Sequence, residues 1–182
     1  MKGYVTQLQS VGVHYHHYWG FDSFSGLPEE DARAVRSKTS DVSWQSGSFS
    51  ASEVLHISSY STLESTILRF INDSRVSLVR GFYNESLTDT LAKERRMRPA
   101  LFVEIDCDLY VSSSAALDWM FANNLIVAGT ILVYNDWIVG GRTGEALAHE
   151  EACVKYNVTV RKLRSRVEVI WMVERVGGRV KS

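Results

Sequence analysis

Cysteine is scarce in this sequence, with Cys107 and Cys153 the whole complement. Two cysteines so far apart supply neither the density of a disulfide scaffold nor the paired spacing of a zinc site. A dominant charge is also missing. The formal net charge of −1 gives no electrostatic case for nucleic acid or for an anionic membrane as partner. No apolar run approaches the ~20 residues that span a bilayer. The first ten residues, MKGYVTQLQS, hold one lysine and no apolar core, so they do not read as a secretory signal. The sequons at Asn72, Asn84 and Asn157 therefore carry no weight, and a reduced, cytoplasmic setting is the default expectation. There is no internal repeat, linker or low-complexity tract. What is present is a chain of 182 residues, 45% hydrophobic and 23% charged. That composition predicts one domain over residues 1–182 with a sizeable core.

The stretch that organises the chain is Leu101–Tyr110, LFVEIDCDLY. Its apolar start reads as a strand buried on both faces, and it runs straight into Asp106 and Asp108. In a doubly wound α/β sheet, ligands bind just past the carboxyl ends of strands. Thr130–Trp137, TILVYNDW, repeats the pattern and ends in Asn135 and Asp136. Cys107, between the two acids, reads as a small filler rather than a nucleophile.

The rest of the chain supplies the remainder of such a sheet. Residues 1–13 suggest a helix ending near Gly12, and His14–Phe21 is aromatic and strand-like. Of its histidines only His14 and His16 share a strand face, too few for zinc. Residues 29–50 are polar and read as a long loop or lid. Ser50-x-x-Glu53 and Ser61-x-x-Glu64 both fit a capping box. Leu63, Ile67, Phe70 and Ile71 then predict an amphipathic helix. Arg75–Phe82 reads as a strand stopped by Gly81, and Glu85–Arg96 as helix-compatible. Ser112–Ser114 are N-cap candidates for a helix to about Asn123, and Gly140, Gly141 and Gly144 punctuate a loop. Glu145–Tyr156 is a further helix, before an antiparallel pair at Val158–Leu163 and Val167–Val173. The order is that of an α/β sheet with an antiparallel edge.

Asp106, Asp108, Asn135 and Asp136 form a hard-oxygen donor set that suits Mg²⁺; the bland reading is acids capping strand-to-helix turns. Several segments carry a resemblance: GFDSFSGLPEE (20–30), Trp44…Gly47…Phe49, VRGFYNESL (79–87), IDCDLYVSS (105–113), GTILVYNDW (129–137) and Gly144-Glu145-x-x-Ala148. In this order and spacing, from about residue 14 onward, they resemble the macrocin O-methyltransferase family of class I, S-adenosylmethionine-dependent methyltransferases.

The resemblance implies a Rossmann-like class I methyltransferase sheet with helices on both faces and an antiparallel C-terminal edge. It implies that Asp22, with Ser23 beside it, binds the cofactor ribose, an acceptor-only carboxylate taking both hydroxyls. Gly81 and Phe82 would lie against the adenine. Asp106 would contact the cofactor, serve as the catalytic base and join Asn135 and Asp136 around Mg²⁺, which lowers the pKa of an acceptor hydroxyl. His149 is a second base candidate, against an exposed i,i+4 pair with Glu145. The expected partner is a small molecule bearing a hydroxyl, a sugar or other secondary metabolite, with oligomerisation left open.

The pattern departs from the family at its start. Only about twenty residues precede the Asp22 segment, and neither Gly3 nor Gly12 ends a plausible strand in a glycine-rich turn. An N-terminally incomplete fold is expected, with a gap where the family's central first strand lies. Two further readings stay open: a non-catalytic remnant, and a glycosyltransferase using Asp106-Cys107-Asp108 as its metal–diphosphate motif.

Overall fold

The computed structural model of the chain describes residues 2–30, 45–137, 143–165 and 168–180. Most of the 29–50 loop, Trp44, Gly140, Gly141 and Val167 lie outside the described residues. The chain divides into two compact units, residues 1–28 with 43–86, and residues 29–42 with 87–182.

In the first unit, helix α1 (Lys2–Ser10) precedes strand β1 (Tyr18–Asp22), which begins four residues later than the aromatic run suggested. Short helix α2 (Ala51–Val54) is capped as expected: the Ser50 hydroxyl accepts the Glu53 N–H at 3.3 Å. Helix α3 (Tyr60–Ile71) starts one residue ahead of Ser61, so the second capping box does not form, and Ser59 holds the N-cap position. Leu63 and Ile71 are buried on α3, whereas Phe70 is 64% exposed and falls off the core-facing stripe. Strand β2 (Val76–Arg80) pairs parallel with β1, Tyr18 opposite Val76 and Asp22 opposite Arg80. Leu63, Leu78 and Phe24 form one small core, and Val5, Ile71 and Val76 another. The Asp73 carboxylate draws the pieces together, accepting from Gln9, Tyr15 and Arg75. Helix α4 (Tyr83–Ser86) closes the unit.

The second unit holds a four-stranded sheet, β3 (Phe102–Ile105), β4 (Ile131–Tyr134), β6 (Val169–Val176) and β5 (Val158–Ser165), in that spatial order. β3 and β4 are parallel, and the other two pairings are antiparallel, as the terminal alternation predicts. β3 is not buried on both faces: Val103 and Ile105 are buried, while Phe102 and Glu104 are half-buried. Among the described residues it is the end strand of its sheet, paired with β4. The Glu85–Arg96 segment forms α4 and a separate turn of helix, α5 (Leu91–Glu94).

Helices α6 (Tyr110–Ala122) and α7 (Gly144–Lys155) pack on one another and on the sheet. Leu117, Phe121, Ala148, Ala152 and Tyr156 share a core with Val103, Ile105, Leu132, Tyr134 and Val173. Each fully buried aliphatic side chain there contributes about 1.5–3 kcal/mol. Helix α6 begins ahead of the expected serines. Its first N–H groups, at Tyr110 and Val111, donate to the two Glu30 carboxylate oxygens at 2.8 and 3.0 Å. An acid there is favoured by the helix dipole. Among the described residues, no helix is long and apolar enough to cross a membrane.

Candidate active site

The end of β1 is a small, solvent-facing structure. Asp22 is exposed there, and its Oδ1 accepts the Phe24 N–H at 2.5 Å. Crowding by the surrounding protein raises the Asp22 carboxyl above its ordinary value, and the Phe24 N–H pulls it back. Ser23 is committed to the turn, donating to Gly26 O at 2.8 Å and accepting the Ser25 N–H at 3.1 Å. On the neighbouring strand, the Gly81 N–H donates to Asp22 O at 3.0 Å. Gly81 has φ +129°, and a Cβ on it would stand 3.1 Å from the Ser86 Cβ. The turn after β2 is therefore built for glycine, which leaves open backbone beside Asp22. Half-buried Phe82 follows, and the Tyr83 hydroxyl donates to Phe21 O at 3.0 Å, holding α4 to β1. Asp22, Ser23, Gly81 and Phe82 thus meet at one pair of strand ends.

The ends of β3 and β4 are built differently. Parallel pairing of Ile105 with Tyr134 sets Asp106 beside Asn135 and Cys107 beside Asp136, with the Asp136 charge acting on both Asp106 and Asp108. Asp106 is exposed, yet partial desolvation raises its carboxyl, and Asp136 and Glu104 push the same way. Asp108 is pushed up to about 7, by desolvation first and by Asp136 next. Asp108 also has φ +61°, in a tight turn where the Leu109 N–H reaches Cys107 O at 2.6 Å. Aspartate tolerates that left-handed region better than most residues. The Asn135 side-chain N–H donates to Glu104 Oε1 at 3.0 Å.

Behind these acids lies a dry layer that sequence reading did not find. Glu145, in the first turn of α7, is fully buried. Its Oε1 accepts the Cys107 N–H at 3.2 Å, and its Oε2 accepts the Asp136 N–H at 3.0 Å. Burial pushes the Glu145 carboxyl up to about 8 against the pull of those two N–H groups. One turn further on, His149 is 4% exposed, with Nδ1 2.9 Å from the Tyr134 hydroxyl. The exposed Glu145–His149 pair is therefore overturned: both side chains point into the protein. His149 stacks on Trp171 and meets Trp137 edge-on, at centroid distances of 5.1 and 5.2 Å. Burial lowers its pKa to about 4, with Lys162 adding to the shift, so the ring is neutral at pH 7. The signal was the i,i+4 spacing itself, which marks one helix face without saying which way that face points.

Among the described residues, no group of three or more His, Cys, Asp or Glu side chains is arranged as a metal cage. Asp136 stands close enough to raise the carboxyls of Asp106 and Asp108, adding in each to the larger effect of desolvation. Two hard carboxylates fit Mg²⁺, which takes one or two such ligands and keeps several waters.

Comparison with known proteins places the chain in a family. Residues 1–159 match the family model for macrocin O-methyltransferase (TylF). The chain belongs to the macrocin O-methyltransferase family. No curated protein matches this family member. Among solved structures it is similar to CalS11, a calicheamicin methyltransferase, with TM-score 0.64 and 16% identity over 94% of this chain and 66% of that one. It is also similar to the O-methyltransferase NovP, with TM-score 0.60 and 18% identity over 92% of this chain and 64% of that one. The fold is the Rossmann-like α/β fold of class I methyltransferases, with helices on both faces and a mixed C-terminal sheet. This macrocin O-methyltransferase family member spans about two thirds of the length of those structures.

Proposed function

We propose that this protein, read as one methyltransferase-like domain, transfers a methyl group from S-adenosylmethionine to a hydroxyl of a sugar or other secondary metabolite, with Mg²⁺ assisting. The observation that carries this reading is the emergence of Asp106 and Asp136, within electrostatic reach of one another, from the ends of two parallel strands in a chain of this family. CalS11 is a TDP-rhamnose 3'-O-methyltransferase, and that likeness supports a sugar hydroxyl as acceptor.

Asp22 is the ribose ligand in this reading, because an exposed carboxylate at a strand end accepts from two hydroxyls at once. Gly81 and Phe82 offer open backbone and a flat apolar face to the adenine, and Ser23 shapes the turn that presents Asp22. S-Adenosylmethionine supplies the activated methyl, and Mg²⁺ supplies Lewis acidity toward the acceptor oxygen. Asp106 and Asp136 would hold the cation, and Asn135 would add a neutral oxygen. Asp106 is the base in this reading, taking the hydroxyl proton on a carboxylate oxygen. His149 is too enclosed by Tyr134, Trp137 and Trp171 to reach an acceptor.

Calorimetric titration tests the reading. S-Adenosylmethionine is expected to bind, and Mg²⁺ to bind in wild type but not in Asp106→Ala. Binding of a nucleotide-diphosphate sugar without S-adenosylmethionine would replace this reading by a glycosyltransferase. Binding of neither would make the chain a non-catalytic member of its family.

A further inference from the structure

We propose that Glu145 is a positioning residue whose buried carboxylate clamps the backbone of Cys107 and Asp136 and so fixes the spacing of Asp106 and Asp136. The purpose of that spacing rests on the function proposed above, but the clamp rests on geometry alone. Cys107 and Asp136 follow the last paired residues of β3 and β4, Ile105 and Tyr134, where regular ladder hydrogen bonds stop. Glu145 supplies the acceptor that both N–H groups need there. One carboxylate takes both, an oxygen to each strand end, at 3.2 and 3.0 Å. The same helix start makes a third contact. Gly144 has φ +52°, and a Cβ there would stand 3.1 Å from Asp108 O, so the first turn of α7 lies directly against the loop that carries Asp106 and Asp108.

A glutamate in the first turn of a surface helix ordinarily turns back to its own N–H groups. Glu145 is instead fully buried, and a buried polar group costs stability unless hydrogen bonds offset the lost water. An apolar residue would fill the space without that cost but would leave the two loops free to move apart. Two carboxylates that share a cation need a fixed separation, and a supporting residue of this kind typically matters about 10–100-fold in metal affinity.

The test uses the full chain and three readouts: amide hydrogen exchange, Mg²⁺ affinity by calorimetry, and integrity of the β4–β6 ladder. In wild type, the Cys107 and Asp136 amides should be protected although they lie beyond the strands. Glu145→Gln, which retains only one accepting oxygen, should expose one of them and weaken Mg²⁺ binding about tenfold or more. The Ile131–Tyr134 ladder amides should keep their protection, which separates loss of position from loss of fold. Unprotected Cys107 and Asp136 amides in wild type would overturn the clamp. So would Glu145→Gln protein with an intact ladder and unchanged Mg²⁺ affinity. Where Glu145→Gln does not fold, Glu145→Asp replaces it, keeping the carboxyl group but too short to span both amides, with the same expected losses and the same overturning results. Wild-type protein that binds no Mg²⁺ would remove the metal from the proposed function, and the clamp would then be decided by the two amides.

Discussion

The two sets of strand ends share a plan and differ in what stands behind them. At the end of β1, Asp22 is an exposed acid whose neighbours are a serine-held turn and a glycine, and the buried polar group among the described residues of that unit is the Ser50 hydroxyl. At the ends of β3 and β4, an exposed acid stands in front of a buried carboxylate, a buried imidazole and a buried phenol, those of Glu145, His149 and Tyr134. The first arrangement suits binding: an accessible acceptor and open backbone, with little charge to control. The second suits chemistry, because like charges in a partly desolvated place raise one another's pKa and create demand for a proton or a cation. The electrostatic cost falls on the region that would move charge.

The largest expected effect would break the second arrangement at its front. Asp106→Asn should lower methyl transfer by about 10²–10⁴-fold, as loss of a general base does, read as S-adenosylhomocysteine released with a panel of hydroxyl acceptors. An unchanged rate would remove Asp106 from the site. Next in size is the layer behind. His149 has a folded pKa of about 4 against the ordinary 6.5, so the unfolded chain binds the extra proton between those values. Stability should therefore fall as pH drops from 6.5 toward 4, by on the order of 3 kcal/mol for a shift of this size. Glu145, raised to about 8, works in the opposite sense, losing stability as pH rises from 4.5 toward 8. The two are separated by comparing denaturant midpoints of wild type and His149→Gln across this range: the difference between them should carry the His149 slope alone.

The binding end should respond more mildly. Asp22→Ala should weaken S-adenosylmethionine by roughly 1.5–3 kcal/mol, the range for hydrogen bonds to a charged group, and leave Mg²⁺ affinity unchanged. Equal loss of both ligands would erase the division of labour between the two regions. The smallest change is Ser23→Ala, which removes the bonds to Gly26 O and the Ser25 N–H and should cost about 1 kcal/mol in chemical denaturation.

What could be read in advance follows from what is local. Periodicity located the strands and helices because a side chain's face is set by its own backbone. Gly81 marked the end of β2, and Ser50 capped α2, since turn and cap chemistry act within a few residues. The terminal hairpin was legible for the same reason. Motif order also carried the family. Failures came where a remote partner decides. Phe70 fits the apolar spacing of α3 but faces solvent. The N-terminus of α6 was displaced from Ser112–Ser114 to Tyr110, where Glu30, eighty residues earlier in the chain, satisfies its N–H groups.

The acids at the ends of β3 and β4 show the same boundary most clearly. Residue order alone was enough to set Asp106 and Asp136 after apolar strands, because an apolar run and the charge that ends it are both written in one dimension. Packing in three dimensions was needed to make β3 and β4 neighbours, to lay Glu145 of α7 across both strand ends, and to keep His149 dry. Those facts depend on which surfaces meet, and burial is a property of the packed chain rather than of any residue in it.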